Sequence, residues 1–448
     1  MAENSRPGGA RRFFALITLG LIFVLAPLLT AQERPLTLDE AVKLALDRNE
    51  RAQAAEQDIA AANARVAQAR SFFLPSLTST STYSRRPFER TITVGDTTVV
   101  IQRLNGLSEA LSLNWTLFDA RSMTGLAAVR AQRNADVAAA TESRRQLAFE
   151  VSQAFLGTLG TNQVREASAR RYAFAGQNLD AAKARFNAGL ASVNDVTRAE
   201  LEYATAEVGL TQLQGQVETT TLQLGNLLDA PEAVRGSLVV PEFLIEAASA
   251  EAANTEALVE EALARRLDVG SLRWIASSQR SLSKVPLLGF LPSLSASGRY
   301  TITNEAGFSG KTSTWTAGAT LSWSLFDGLA RFGQARERRA LAKLADLDLQ
   351  AAVRRVDLEV REALVSMTNQ RASLKQATTA YEVAKKNAAE TTELYRQGLA
   401  TALQVADANV SLFEAEVALV QERYGLGVAF LNLEAALGLD PFGKEPRQ

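Results

Sequence analysis

The sequence predicts a mainly α-helical chain with a membrane β-barrel part, built as a tandem duplicated unit. Three observations carry that expectation: an internal repeat, four long stretches without proline, and short alternating segments at matching places in both copies. Phe73-Leu-Pro-Ser-Leu77 returns as Phe290-Leu-Pro-Ser-Leu294, and Trp115-Thr-Leu-Phe-Asp119 returns as Trp323-Ser-Leu-Phe-Asp327. Phe186-Asn-Ala-Gly-Leu-Ala191 matches Tyr395-Arg-Gln-Gly-Leu-Ala400, and Leu222 to Leu228 matches Leu431 to Leu437. The matches keep their order, and their separation far exceeds the period of a solenoid repeat, so each copy is a substantial unit. The expected divisions are a signal segment at 1–31, a first repeat at 32–239 and a second at 240–448.

Composition excludes several function classes. The 448 residues include 48 basic and 49 acidic side chains, no histidine and no cysteine. Without thiol or imidazole there is no Cys/His zinc site, no Cys nucleophile, no Ser-His-Asp triad and no disulfide framework. No catalytic residue, cofactor or metal is expected, and the balanced charge argues against a nucleic-acid partner. At the amino terminus, Arg11-Arg12 precede an apolar run from Phe13 to Leu29, and Ala31 stands before Gln32-Glu33-Arg34. That order predicts a secretory signal cleaved after Ala31, the alternative being an uncleaved anchor helix. Later apolar runs are too short to span a membrane as helices, so any membrane entry is through strands.

The elements follow in order. Thr37 with Glu40 forms a capping-box pattern opening a helix from Leu36 to Phe72. Proline is absent from Asp119 to Asn187, Val193 to Asp229, Asp327 to Arg396 and Ala402 to Gly438, and apolar residues recur there three and four apart. Two of these stretches are roughly 70 residues, about 100 Å as helix, which points to coiled-coil-like packing. A kink is expected near Gly157 and Gly160 in the first. The helix from Leu36 and that from Val193 together match one long helix in length, and the second copy's counterpart of the Leu36 helix spans Thr255 to Lys284. Leu111 to Leu117 and Ala317 to Leu325 alternate at period two, placing Leu113, Trp115, Leu321 and Trp323 on one face. Leu77 to Ser84 and Leu294 to Thr303 are their strand partners, with an extra hairpin around Val94-Gly95-Asp96.

Four strands with open edges cannot stand alone in lipid. Cyclic assembly of two, three or four chains would give 8, 12 or 16 strands, and composition does not choose among them.

The combination of duplication, Leu-Pro-Ser-Leu before each first strand, Leu-Phe-Asp after each second, and Gly-Leu-Ala at each long-helix end resembles the TolC-like outer membrane efflux proteins, from Leu36 to Pro441. The resemblance implies a homotrimer with one 12-stranded β-barrel in outer membrane lipid, continued by an α-helical barrel across the periplasm. It implies an exit duct for tripartite efflux or type I secretion, joined to a periplasmic adaptor (membrane fusion) protein and an inner-membrane pump of RND, ABC or MFS type. The absence of cysteine excludes the acylated anchor of one branch. The resemblance also makes Gly189, Leu190, Ala191 and Ser192, with Gly398, Leu399, Ala400 and Thr401, the adaptor-contacting tips. It places Asp407, Gln404 and Asp195 near the periplasmic aperture, with Arg198 at a comparable place in the first copy. Asp407 has the alternative of a solvated helix-face charge. Trp115 and Trp323 are membrane-interface aromatics, or pack within their hairpins. Arginine pairs such as Arg144-Arg145 and Arg170-Arg171 read as solvated faces. The alternative function is a periplasmic coiled-coil adaptor or scaffold without a barrel.

Overall fold

The computed structural model describes residues 35–241, 254–306 and 310–445; the expected signal segment lies outside them. Two helices, α1 (Leu38–Arg48) and α2 (Glu50–Ser71), lead into strand β1 (Ser76–Arg85). After the hairpin β2 (Arg90–Val94) and β3 (Thr97–Gln102), β4 (Asn105–Phe118) returns and feeds α3 (Ala120–Asn187), followed by α4 (Val193–Leu228). The second repeat runs α5 (Thr255–Arg265), α6 (Leu267–Leu282), a short α7 (Val285–Leu288), β5 (Ser293–Thr303), β6 (Ser313–Ser322), α8 (Ala330–Arg396) and α9 (Ala402–Leu437).

The first helices correct one expectation. The segment from Leu36 to Phe72 is two helices, broken at Asn49, and its counterpart is broken at Arg266. Thr37 and Glu40 do close the capping box. At the break, the Asn49 Oδ1 accepts from the Arg51 N–H at 2.9 Å, while its Nδ2 donates to the Leu227 carbonyl at 3.0 Å. One side chain therefore caps the start of α2 and satisfies a carbonyl at the end of α4, joining two half-length rods end to end. Arg266 marks the matching break in the second copy and links to the end of the last helix, though its side chain does not cap α6. It donates to the Ala436 carbonyl near the end of α9 and pairs with Asp268 at 2.7 Å and with Glu359.

Between these junctions the long helices run unbroken. α3 has 68 residues and α8 has 67, and α3 passes through Gly157 and Gly160 without interruption. Gly160 has a packing reason: a Cβ there would come within 3.3 Å of the Tyr424 ring. The wall is a single layer of helices. In its upper part α2 packs on α3, α3 on α6 and α6 on α8; lower down α4, α3, α9 and α8 follow in the same sense. A one-layer wall leaves both faces wet, so its contact positions are small: Ala128, Ala131 and Ala135 on α3, and Ala335, Ala342 and Ala345 on α8. The largest cluster of buried bulky side chains among the described residues is where Leu147, Val151 and Phe155 of α3 meet Leu224, Leu228 and Leu431, with smaller ones around Val356 and Val360 and around Met367 and Leu426. Each such burial contributes about 1.5–3 kcal/mol.

The sheet order is β1-β4-β5-β6, all antiparallel. The expected extra hairpin is present as β2 and β3. The repeat is kept to the residue: Ser76 pairs with Asn114 as Ser293 pairs with Ser322. Strand β6 departs from the expected Ala317 to Leu325, beginning and ending earlier. Central β4 continues to Phe118 because β5 pairs with it there, whereas β6 has no second neighbour and stops at Ser322. Asp119 caps α3 directly, but Gly328 and Leu329, both left-handed, separate Asp327 from α8.

Candidate functional site

Among the described residues no group of Asp and Glu side chains is placed to hold a metal ion; the candidate surfaces are the chain's open edges, its lower tips and the cleft between its two helix pairs. The edges come first. Strands β1 and β6 each have one unpaired side. Beneath β1 lies the α2/α4 side of the wall, and beneath β6 lies α8. Along α4, Leu201, Val208 and Leu222 stand exposed at heptad positions. Their repeat partners on α9 are better covered: Val410 and Val417 are half-buried, and Leu222 is 63% exposed whereas Leu431, at the matching place, is 0% exposed. The same contrast holds on the long helices. Val365 of α8 is 61% exposed and its counterpart Leu156 of α3 is 0% exposed. The protomer thus fills this seam once, between its own repeats, and leaves the same seam open at both outer edges.

The strand faces separate by polarity. One face carries Leu77, Leu111, Leu113, Trp115, Tyr300 and Leu321; the other is almost wholly Ser, Thr and Asn, with Ala and Gly. Apolar outside and polar inside is the pattern of a membrane barrel. At the foot of the strands the two tryptophans act alike: Trp115 Nε1 donates to the Phe73 carbonyl at 2.9 Å, and Trp323 Nε1 to the Phe290 carbonyl at 2.8 Å. Each indole ties the end of the second strand to the turn before the first, while its ring stays exposed. Leu325 and Phe326 continue this apolar fringe. Among the described residues no helix is long and apolar enough to cross a membrane.

The tips are built by one motif used twice. Gly189 and Gly398 take φ values of 78° and 79°, and the following leucines donate back into the helix end, Leu190 N–H to Arg185 O at 2.9 Å and Leu399 N–H to Leu394 O at 2.8 Å. Glycine is required because a side chain in that left-handed position is strained. Leu190 and Leu399 are thereby left projecting from the turns. Ala191 and Ala400 complete the turns. Ser192 and Thr401 then cap α4 and α9.

Asp195 and Gln404 have a local reason to be there. Each closes a capping box: Asp195 accepts from the Ser192 N–H at 2.9 Å and Gln404 from the Thr401 N–H at 2.8 Å. The Ser192 N–H and hydroxyl hold the Asp195 carboxyl below the usual carboxylate range. The Ser-x-x-Asp and Thr-x-x-Gln spacing carried this signal in the sequence. Asp407 has no such duty and is exposed. With Asp195 and Arg198 it lines a cleft of about 200 Å³ between the first and second helix pairs, whereas Gln404 does not line it.

Sequence reasoning missed the clasps across that cleft. Arg185 donates to the Tyr395 carbonyl at 3.0 Å, with its guanidinium 4.0 Å from the ring centroid. Arg170 pairs with Glu416 across it, and Arg171, held by Glu202 of its own helix pair at 2.8 Å, places its guanidinium 5.0 Å from the Phe413 ring centroid on the other side. Arg145 departs furthest from a solvated face: it is buried, paired with Glu142 at 2.8 Å and donating to the Ala435 and Leu439 carbonyls.

The sequence model of the family described as "Outer membrane efflux protein" matches residues 41–230 and 258–439. The outer membrane protein TolC of Vibrio cholerae is 27% identical over 403 residues, 86% of each chain. Among solved structures, VceC of Vibrio cholerae superposes with a TM-score of 0.73 at 19% identity, covering 90% of this chain and 96% of its own. A Pseudomonas aeruginosa membrane protein gives 0.77 at 21% identity, covering 92% and 91%.

Proposed function

The chain belongs to the outer membrane efflux protein family, and from that premise we propose which of its surfaces carry the function. It is a passive outer membrane efflux channel, not an enzyme, with its helical part in the periplasm. It works as a homotrimer with a periplasmic adaptor and an inner-membrane pump. In our reading β6 of each copy pairs with β1 of the next, and α8 fills the seam along α2 and α4. The observation that supports this is the exposure of Leu222 and Val365 where Leu431 and Leu156 are covered. The apolar outer face meets outer membrane lipid, with Trp115 and Trp323 at its periplasmic border. The pump is of RND, ABC or MFS type. An adaptor without a barrel has no use for a four-stranded sheet shared by both repeats.

The tips, residues 189–192 and 398–401, receive the adaptor in this reading, presenting Leu190 and Leu399 to it. Asp407 and Asp195 stand at the periplasmic aperture, where threefold repetition crowds like charge and favours cations. Gln404 lies beside them as a neutral member. Detergent extraction followed by mass determination and electron microscopy tests the assembly: a threefold hollow needle is expected, and a soluble lone protomer would end the proposal. Asp407→Ala tests the aperture. Its single-channel conductance should rise in a planar bilayer; unchanged conductance and ion selectivity would remove Asp407 from the constriction.

A further inference from the structure

We propose that Arg299 forms an anion-binding station at mid-height in the barrel, acting on carboxylate-, phosphate- or sulfate-bearing molecules as they leave. The inference rests on the channel reading above, with the polar strand face turned to the lumen. Arg299 lies in the middle of β5 and is paired with Ser112 on one side and Thr316 on the other. Directly opposed residues share a face, so the row Thr78, Ser112, Arg299 and Thr316 belongs to the polar side. An arginine on the opposite side would face the bilayer near its midplane, where it is strongly disfavoured.

Its surroundings make it unusual. Every other side chain of this face within the paired rows is Ser, Thr, Asn, Ala or Gly, so no lumen carboxylate stands near to neutralise it. The strands' other charge away from their ends, Glu109, sits on the opposite face toward the loop end and accepts from Ser79 and Ser81. Arg299 is exposed, and its side chain has no ion pair or hydrogen bond among the described residues. The repeat does not supply it either: Thr82 occupies the matching place on β1. The protomer therefore contributes one cation, and the trimer three at one level.

Magnitude decides whether this matters. Twelve strands tilted by about 40° enclose a lumen of roughly 12 Å backbone radius. Guanidinium groups reaching inward about 6 Å stand within one Debye length, about 8 Å, of the axis. Three screened unit charges at that distance enrich a monovalent anion at the axis roughly fivefold, and a polyanion by considerably more.

The test is polyanion block in a planar bilayer, with tripolyphosphate added from the barrel side of trimers made from the full chain. The unsubstituted channel should be blocked; Arg299→Gln should lose at least fivefold in blocking affinity, and Arg299→Lys should keep it. Because the chain has no cysteine, Arg299→Cys can be assembled first and its charge restored afterwards with a cationic methanethiosulfonate, which should restore block, while an anionic one should not. Equal block in Arg299→Gln and the parent, or no recovery on restoring the charge, would overturn the station and leave the channel standing. Failure of the unsubstituted chain to form channels would overturn the channel reading, and the station with it.

Discussion

The open strand edges have a register that the repeat itself specifies. Within one copy, β4 and β5 join the two repeats through pairs such as Ser112 with Arg299 and Asn114 with Ser297. Carrying each strand to its repeat counterpart pairs Thr320 with Thr82 of the neighbouring copy, and Ser322 with Thr80. Opposed residues in an antiparallel pair have Cα atoms about 4.5–5.5 Å apart, inside the disulfide range of about 4.4–6.8 Å. A slip of two residues moves partners to roughly 7–8 Å, outside it. The chain's lack of cysteine gives a blank background. Oxidising the double variant Thr320→Cys/Thr82→Cys in membranes should yield a covalent trimer on a denaturing gel; Thr320→Cys/Ser84→Cys and Thr320→Cys/Thr80→Cys should not. The same correspondence extends β6 beyond Ser322, pairing Trp323 with Ser79 of the neighbouring copy and Phe326 with Leu77, across the bulge seen between Thr116 and Phe118. Efficient cross-linking in either slipped pair, and not in the first, would refute the repeat-based register.

Glu434 should make stability depend on pH. Burial, reinforced by Asp440 and opposed by Arg265, pushes its carboxyl up to about 7 from 4.5. Between those values the folded chain keeps a proton that the unfolded chain has lost. Stability therefore falls as pH rises through that window, by at most roughly 3 kcal/mol, and levels off above it. Urea unfolding of Glu434→Gln should lack this slope, and a slope equal to the parent's would clear Glu434 of the effect. Arg266→Met leaves Asp268 and Glu359 unpaired at the α5–α6 junction. It should cost about 2–3 kcal/mol, discounted because both carboxylates remain over a third exposed; an unchanged unfolding midpoint would contradict this. Gly398→Val forces a branched side chain into the left-handed tip turn and should weaken adaptor cross-linking while leaving the trimer intact. Undiminished cross-linking would remove the tip assignment.

What the sequence made legible is what a single element decides for itself. The long helices were visible because a proline in a helix interior is so costly that its absence over roughly 70 residues points directly to helix. The tip turns were visible because a helix end of this form needs glycine, and both copies supply it. Asn49 and Arg266 were not visible. Both residue types are tolerated inside helices, and what stops the helix is a contact made far along the chain, with Leu227 and with Glu359 and Ala436. Arg145 was missed for the same reason, its carbonyl partners lying at Ala435 and Leu439. The seam is a harder case. Leu222 and Leu431 occupy matching positions in matching stretches, yet one is wet and the other dry in the protomer. The stretches differ in polarity, Glu218-Thr-Thr-Thr-Leu222 against Gly427-Val-Ala-Phe-Leu431, but the repeat match alone does not say which leucine finds its neighbouring repeat in the same polypeptide. That equivalence is the reason a duplicated chain closes a ring: whatever α9 satisfies against α3, α4 still has to satisfy against the α8 of another copy.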